Sequence, residues 1–178
     1  MSIPRTLHHG LLKQAFHLAG RSKQRPAQAD LRRSISASYY ALFHLLVNEA
    51  IKSICVGKKD YAPLRYHLAR TFQHANMKNV AQQFSKRQIS EDLSSVFGTN
   101  TLDERLVLVA SNFVLLQEAR INADYNLSMN YFKHQALEYA NMSQDSFSAW
   151  KKIHKTIQAY TFLIGLHNQK NINRGSNQ

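Results

Sequence analysis

Gln28-Ala29-Asp30-Leu31-Arg32-Arg33-Ser34-Ile35-Ser36-Ala37-Ser38-Tyr39-Tyr40-Ala41-Leu42-Phe43-His44-Leu45-Leu46-Val47-Asn48-Glu49-Ala50 is the stretch that decides the fold. Within it Leu31, Ile35, Tyr39, Leu42, Leu46 and Ala50 recur at intervals of four, four, three, four and four. That is the 3.6-residue period of a helix with one buried stripe. Beside the stripe runs a row of small residues, Ser34, Ala37, Ser38 and Ala41, which lets a neighbouring helix come close. The helix is predicted from about Gln28 to Cys55. Gly57-Lys58-Lys59-Asp60 then ends it as a loop, with Asp60 as the cap of the next helix.

Upstream, Leu7, Leu11, Leu12, Phe16 and Leu18 give an apolar side to a helix from about Arg5 to Gly20, and Arg21–Pro26 reads as an exposed basic loop. Downstream, residues 61–86 read as a less regular helix that buries Leu64, Leu68, Phe72, Met77, Val80 and Phe84, with Pro63 tolerable in the first turn. Arg87–Asn100 reads as a mobile, partly helical connection with a Gly-Thr-Asn turn. Thr101, with Glu104 three residues later, is a capping-box pattern opening a helix to about Tyr125. Ser128 then caps the longest helix. In it Met129, Ala136, Ser143, Trp150, Ile157 and Ile164 fall every seven residues, with Phe132, Tyr139, Ser146, Ile153 and Tyr160 three after each. Such a pattern is a bundle seam, softened near Ser143 and Ser146, where a kink is expected. No strand alternation competes with these helices. The expected architecture is all-α, an antiparallel bundle of four to five helices in one domain over residues 1–166, followed by a disordered polar tail at 167–178.

Composition agrees. The 178 residues contain only 6 Gly and 3 Pro, few breaks for long helices, and 44% hydrophobic residues, enough for a core. The lone Cys55 cannot form an internal disulfide, which suits a reducing cytosol. No stretch approaches the roughly 20 apolar residues of a membrane span, and the N-terminus lacks the apolar run of a signal peptide, so a soluble cytoplasmic protein is expected. The net charge of +12 is one-sided: residues 1–90 hold 15 Lys/Arg against Asp30, Glu49 and Asp60, while residues 91–178 hold eight of each sign. An asymmetric cationic field draws polyanions, which points to nucleic acid, or to an acidic partner protein.

The segment Asp30–His44, with arginines, then small residues, then Tyr39-Tyr40-Ala41-Leu42-Phe43-His44, resembles the second-helix signature of the HEPN family (higher eukaryotes and prokaryotes nucleotide-binding). The resemblance is particularly to its widespread uncharacterised bacterial branch. Arg120-Ile121-Asn122-Ala123-Asp124-Tyr125 is similar to the Arg-x-x-Ala-Asp-Tyr segment of the same branch. The resemblance covers about residues 5–165. It implies a helical bundle that dimerises and is associated with RNA cleavage, nucleotide binding, or toxin–antitoxin and antiphage systems. Many relatives are metal-independent ribonucleases in which a histidine follows an arginine after four to six intervening residues. The arginine then stabilises phosphate charge, and the histidine assists attack of a ribose 2′-hydroxyl. No arginine of this chain has a histidine at that separation, and Arg120 is followed by Asp124 and Tyr125 instead.

Two candidate catalytic groups result. Arg70 and His74, four apart, would share one helix face with His67, giving phosphate binding and a proton carrier, unless they form an ordinary solvated face. Arg120, Asp124 and Tyr125 would form a family-type pocket, unless Arg120 and Asp124 are an intrahelical brace. Tyr40 and His44 share a helix face and either flank that site or are buried with satisfied hydrogen bonds. Arg32, Arg33, Arg65, His67 and Lys78 are candidate nucleic-acid contacts. No cofactor or metal is expected: His67 and His74 would lie about 10 Å apart along a helix axis, too far to ligate one ion. Expected partners are RNA or a nucleotide, a second copy of the chain, and a nucleotidyltransferase or other defence-system protein. The alternatives to an RNA-acting protein are a non-catalytic interaction module and a nucleotide sensor.

Overall fold

The computed structural model describes residues 7–21, 26–55, 61–87 and 89–167. Among these it has eight helices and no strand: α1 (Leu7–Gly20), α2 (Gln28–Ile54), α3 (Ala62–Ala69), α4 (His74–Ser85), α5 (Glu91–Phe97), α6 (Glu104–Tyr125), α7 (Lys133–Ile153) and α8 (Ile157–His167). The all-α expectation holds, with more and shorter helices than the four or five foreseen. The Asp60 cap, most of the 21–26 loop and the 168–178 tail lie outside the described residues.

α2 follows its sequence pattern closely. All six stripe residues and all four small residues are buried. By contacts the chain divides into two compact units, and α2, α6 and α7 contribute residues to both. The first draws on Pro4–Leu45 and Asn112–Ser148. Its helix directions follow from which residues meet. Ser34 Oγ donates to the Ala15 carbonyl at 2.7 Å, while Ala19 clusters with Leu31, so α1 and α2 run antiparallel. Arg120 meets Tyr40, and Asp124 meets Ser36, so α2 and α6 are antiparallel too. Asn112 Nδ2 donates to the Met142 carbonyl and to Ser146 Oγ, each at 3.1 Å, while Ala123 clusters with Ala136, which sets α7 antiparallel to α6. The result is a four-helix arrangement whose close approaches are made by Ala15, Ala19, Ala37, Ala119, Ala123, Ala136 and Ala140.

The second unit draws on Leu46–Ser111 and the chain from Ala149. α4 packs on α8, and Phe162 anchors the contact, its ring 5.0 Å from Phe84 and 6.3 Å from Trp150. Gln158 of α8 brackets the entry to α6: its Oε1 accepts from Asp103 N at 2.8 Å, and its Nε2 donates to the Thr101 carbonyl at 3.0 Å.

Four boundaries differ from expectation. The 61–86 helix is divided. Arg70 and Thr71 form a turn and His74 starts α4, so Leu64 is exposed and Leu68 half-buried, while Phe72, Met77, Val80 and Phe84 are buried. The capping box at Thr101 does not form; Asp103 holds the N-terminus of α6 instead, its Oδ1 accepting from Arg105 N at 2.8 Å. The last helix breaks at residues 154–156, not near the buried Ser143 and Ser146. The break shifts the helical phase. The seven-residue row is inward at Ala136, Ser143 and Trp150 but outward at Ile157 and Ile164, and Ala159, Phe162, Leu163 and Leu166 take over the core. Ser128 caps nothing: its N–H and hydroxyl both donate to Asn126 Oδ1 in the turn before α7.

Candidate functional site

The antiparallel α2 and α6 bring two i,i+4 rows together in the first unit: Arg32, Ser36, Tyr40 and His44 on α2, and Arg120 and Asp124 on α6. Arg120 is at the centre. Its Nη2 donates to Tyr40 Oη at 2.7 Å, and its guanidinium carbon lies 5.4 Å from the Tyr40 ring and 5.7 Å from the Tyr125 ring. Its Nε is buried 2.8 Å from Asp124 Oδ2, an ion-pair contact whose N–H is not aligned as a hydrogen bond. The other oxygen of that carboxylate, Oδ1, accepts from the buried Ser36 hydroxyl at 2.5 Å. The Arg120 and Asp124 side chains keep 18% and 21% of their surface exposed, so the pair is shielded yet reachable.

The electrostatics hold the arginine charged. Burial alone would lower its pKa, but Tyr40, Asp124 and Tyr125 outweigh that and the net direction is upward. Behind it, Tyr39 packs against Tyr40 and Phe113 at ring distances of 5.3 and 5.6 Å. Burial, with the neighbouring Tyr40, pushes the Tyr39 phenol far above its ordinary range, against a smaller opposing pull from Arg120. Tyr39 is therefore a neutral wall of the cluster. His44 stacks on Tyr40 at 6.3 Å, the imidazole placed next along the α2 row. Tyr125 is 70% exposed and stands at the start of a turn that also exposes Leu127 (88%) and Phe132 (63%).

The remaining candidates fall elsewhere. Arg32 does not face outward for phosphate: Nη1 donates to the Ala123 carbonyl at 2.7 Å, Nη2 to the carbonyls of Asn126 at 3.1 Å and Met129 at 2.5 Å, and its guanidinium lies 5.5 Å from the Tyr131 ring. It thus ties off the carbonyl end of α6, where a helix carries partial negative charge. Arg65 behaves similarly in the second unit, donating to the Cys55 carbonyl at 3.1 Å just past α2. Arg33 is exposed. Arg70 and His74 do not share a helix face, because the chain turns between α3 and α4. Arg70 is exposed over the Tyr66 ring at 5.7 Å, and His67 is exposed beside the same tyrosine. His74 and Lys78 are half-buried and have interacting neighbours. Among the described residues no three His, Cys, Asp or Glu side chains gather as a metal site, and no helix is long and apolar enough to cross a membrane.

Arg120 and Asp124 form the i,i+4 ion pair expected of an intrahelical brace, with Tyr125 beside the same guanidinium and with Tyr40 and His44 on the facing row of α2. The sequence reading assigned no role to Ser36. The signal was present: Ser36 lies midway between Arg32 and Tyr40 on the i,i+4 row that faces α6. No protein-family model, curated protein or solved structure matches the chain.

Proposed function

We propose that this chain is a HEPN-like protein that binds RNA or a nucleotide at the Arg120 cluster, within a toxin–antitoxin or antiphage system of the cytoplasm. The observation that carries the reading is a guanidinium set between two tyrosine rings, with one of those rings largely open to solvent. A fixed arginine suits a phosphate oxygen, and an exposed tyrosine face suits an unpaired base. The excess of cations in residues 1–90 supports encounter with a polyanion, and the family resemblance adds to this. Binding is better supported than cleavage, since no histidine follows Arg120 at the separation that active relatives use. His74 begins α4, an element separate from the turn that carries Arg70.

The test uses purified protein and short mixed-sequence RNA in EDTA. Arg120→Ala is expected to weaken binding at least about tenfold, a loss of roughly 1.4 kcal/mol or more, and Tyr125→Ala to weaken it less. Unchanged affinity in Arg120→Ala sinks the reading. RNA cleavage that Arg120→Ala or His74→Ala abolishes would add a metal-independent ribonuclease activity.

A second reading is an interaction module that binds a nucleotidyltransferase, another defence protein or a second copy of the chain. It draws on the uncharged stretch Tyr125–Phe132, which exposes Tyr125, Leu127 and Phe132 together. Light scattering of the purified chain, alone and with the product of a neighbouring gene, separates that reading from RNA binding.

A further inference from the structure

We infer that the Arg120 site selects a terminal phosphomonoester, as on a nucleotide or at the 5′ end of an RNA, over the phosphodiesters within a strand. Asp124 sets the threshold as a built-in competitor. This rests on the reading of Arg120 as a phosphate ligand. In the structure the arginine already has an anion: Asp124 Oδ2 is 2.8 Å from its Nε. The carboxylate is also held independently, since Oδ1 accepts from Ser36 at 2.5 Å. Ser36 can therefore keep Asp124 in place while Oδ2 yields the guanidinium, so no helix has to move for the exchange.

The charges decide which ligand wins that exchange. A phosphodiester brings one negative charge and merely replaces the one it displaces. A phosphomonoester brings about 1.5 to 2 at neutral pH and three acceptor oxygens, so it outcompetes a single carboxylate. Tyr40, accepting from Nη2, fixes the plane of the guanidinium, and Tyr125 over the same group leaves its outer face to the base that adjoins the phosphate. A neutral nucleoside could use only the tyrosine.

The experiment measures equilibrium binding of two oligoadenylates of equal length, one with a 5′-phosphate and one with a 5′-hydroxyl. The wild-type chain is expected to prefer the 5′-phosphate about tenfold. Asp124→Asn keeps an acceptor for Ser36 and removes the competing charge, so it should tighten the 5′-hydroxyl ligand about fivefold. Equal wild-type affinities for the two ligands overturn the inference, and this arm needs no variant to fold. A folded Asp124→Asn protein that binds the 5′-hydroxyl ligand no more tightly than wild type also overturns it. If Arg120→Ala leaves both affinities unchanged, the phosphate reading itself fails, a result distinct from either of these.

Discussion

At the residue scale, Tyr39 and Arg120 show how one packed layer sets two opposite protonation preferences. The same surroundings keep the arginine a cation and the buried phenol neutral. For Tyr39 the consequence is a stability effect. In the unfolded chain it ionises near pH 10, whereas in the folded protein burial raises its pKa far higher. Its contribution is complete below about pH 10 and is lost as pH rises beyond that, because the unfolded state alone gains by releasing the proton. Tyr131 and Tyr139 are shifted the same way, chiefly by burial, and add to the effect. Urea midpoints should fall between pH 9 and pH 11, with a shallower fall in Tyr39→Phe; a midpoint constant to pH 11 would contradict this account.

At the element scale, the helices whose limits were legible are those in which local signals and packing agree. α2 has an unbroken stripe and nearly the expected ends. Where the limits were not legible, tertiary contacts supplied the decision. Phe72 turns inward beside His167 of α8, their rings 5.3 Å apart, and the backbone between α3 and α4 follows it. Residues 154–156 carry no Gly or Pro, so nothing local announced the break that reverses the phase of the last seam. α4 likewise ends without a glycine: Arg87 adopts φ 59°, the left-handed conformation usually left to glycine. α5 ends conventionally, with Gly98 at φ 65°. A Cβ there would meet nothing within 4 Å, so the only cost of Gly98→Ala is backbone strain. That substitution should destabilise by about 1 kcal/mol, read as a lower urea midpoint with unchanged m-value. No loss would mean that the α5 terminus is free to rearrange.

At the scale of the whole molecule, fewer cations are free to touch a phosphate than the formal charge of +12 implies. Arg32 and Arg65 were read from sequence as surface cations, because nothing local reveals that a helix end will sit beside them. The structure gives both to carbonyls. Arg32→Ala should therefore act on stability and not on ligand encounter. The expected loss is roughly 2–4 kcal/mol in urea unfolding, from its charge-assisted hydrogen bonds, with the salt dependence of RNA binding unchanged. A flatter salt dependence with unchanged stability would return Arg32 to the nucleic-acid surface. The same side chain links positions 91, 94 and 97 residues apart in sequence. On the ribosome, the α1–α2 hairpin must then wait while roughly 90 further residues are made, about 5–20 seconds at ordinary elongation rates. For that interval α1 already covers Ser34 and Ala37, but Ser36 and the tyrosines of α2 stand open until α6 emerges to meet them.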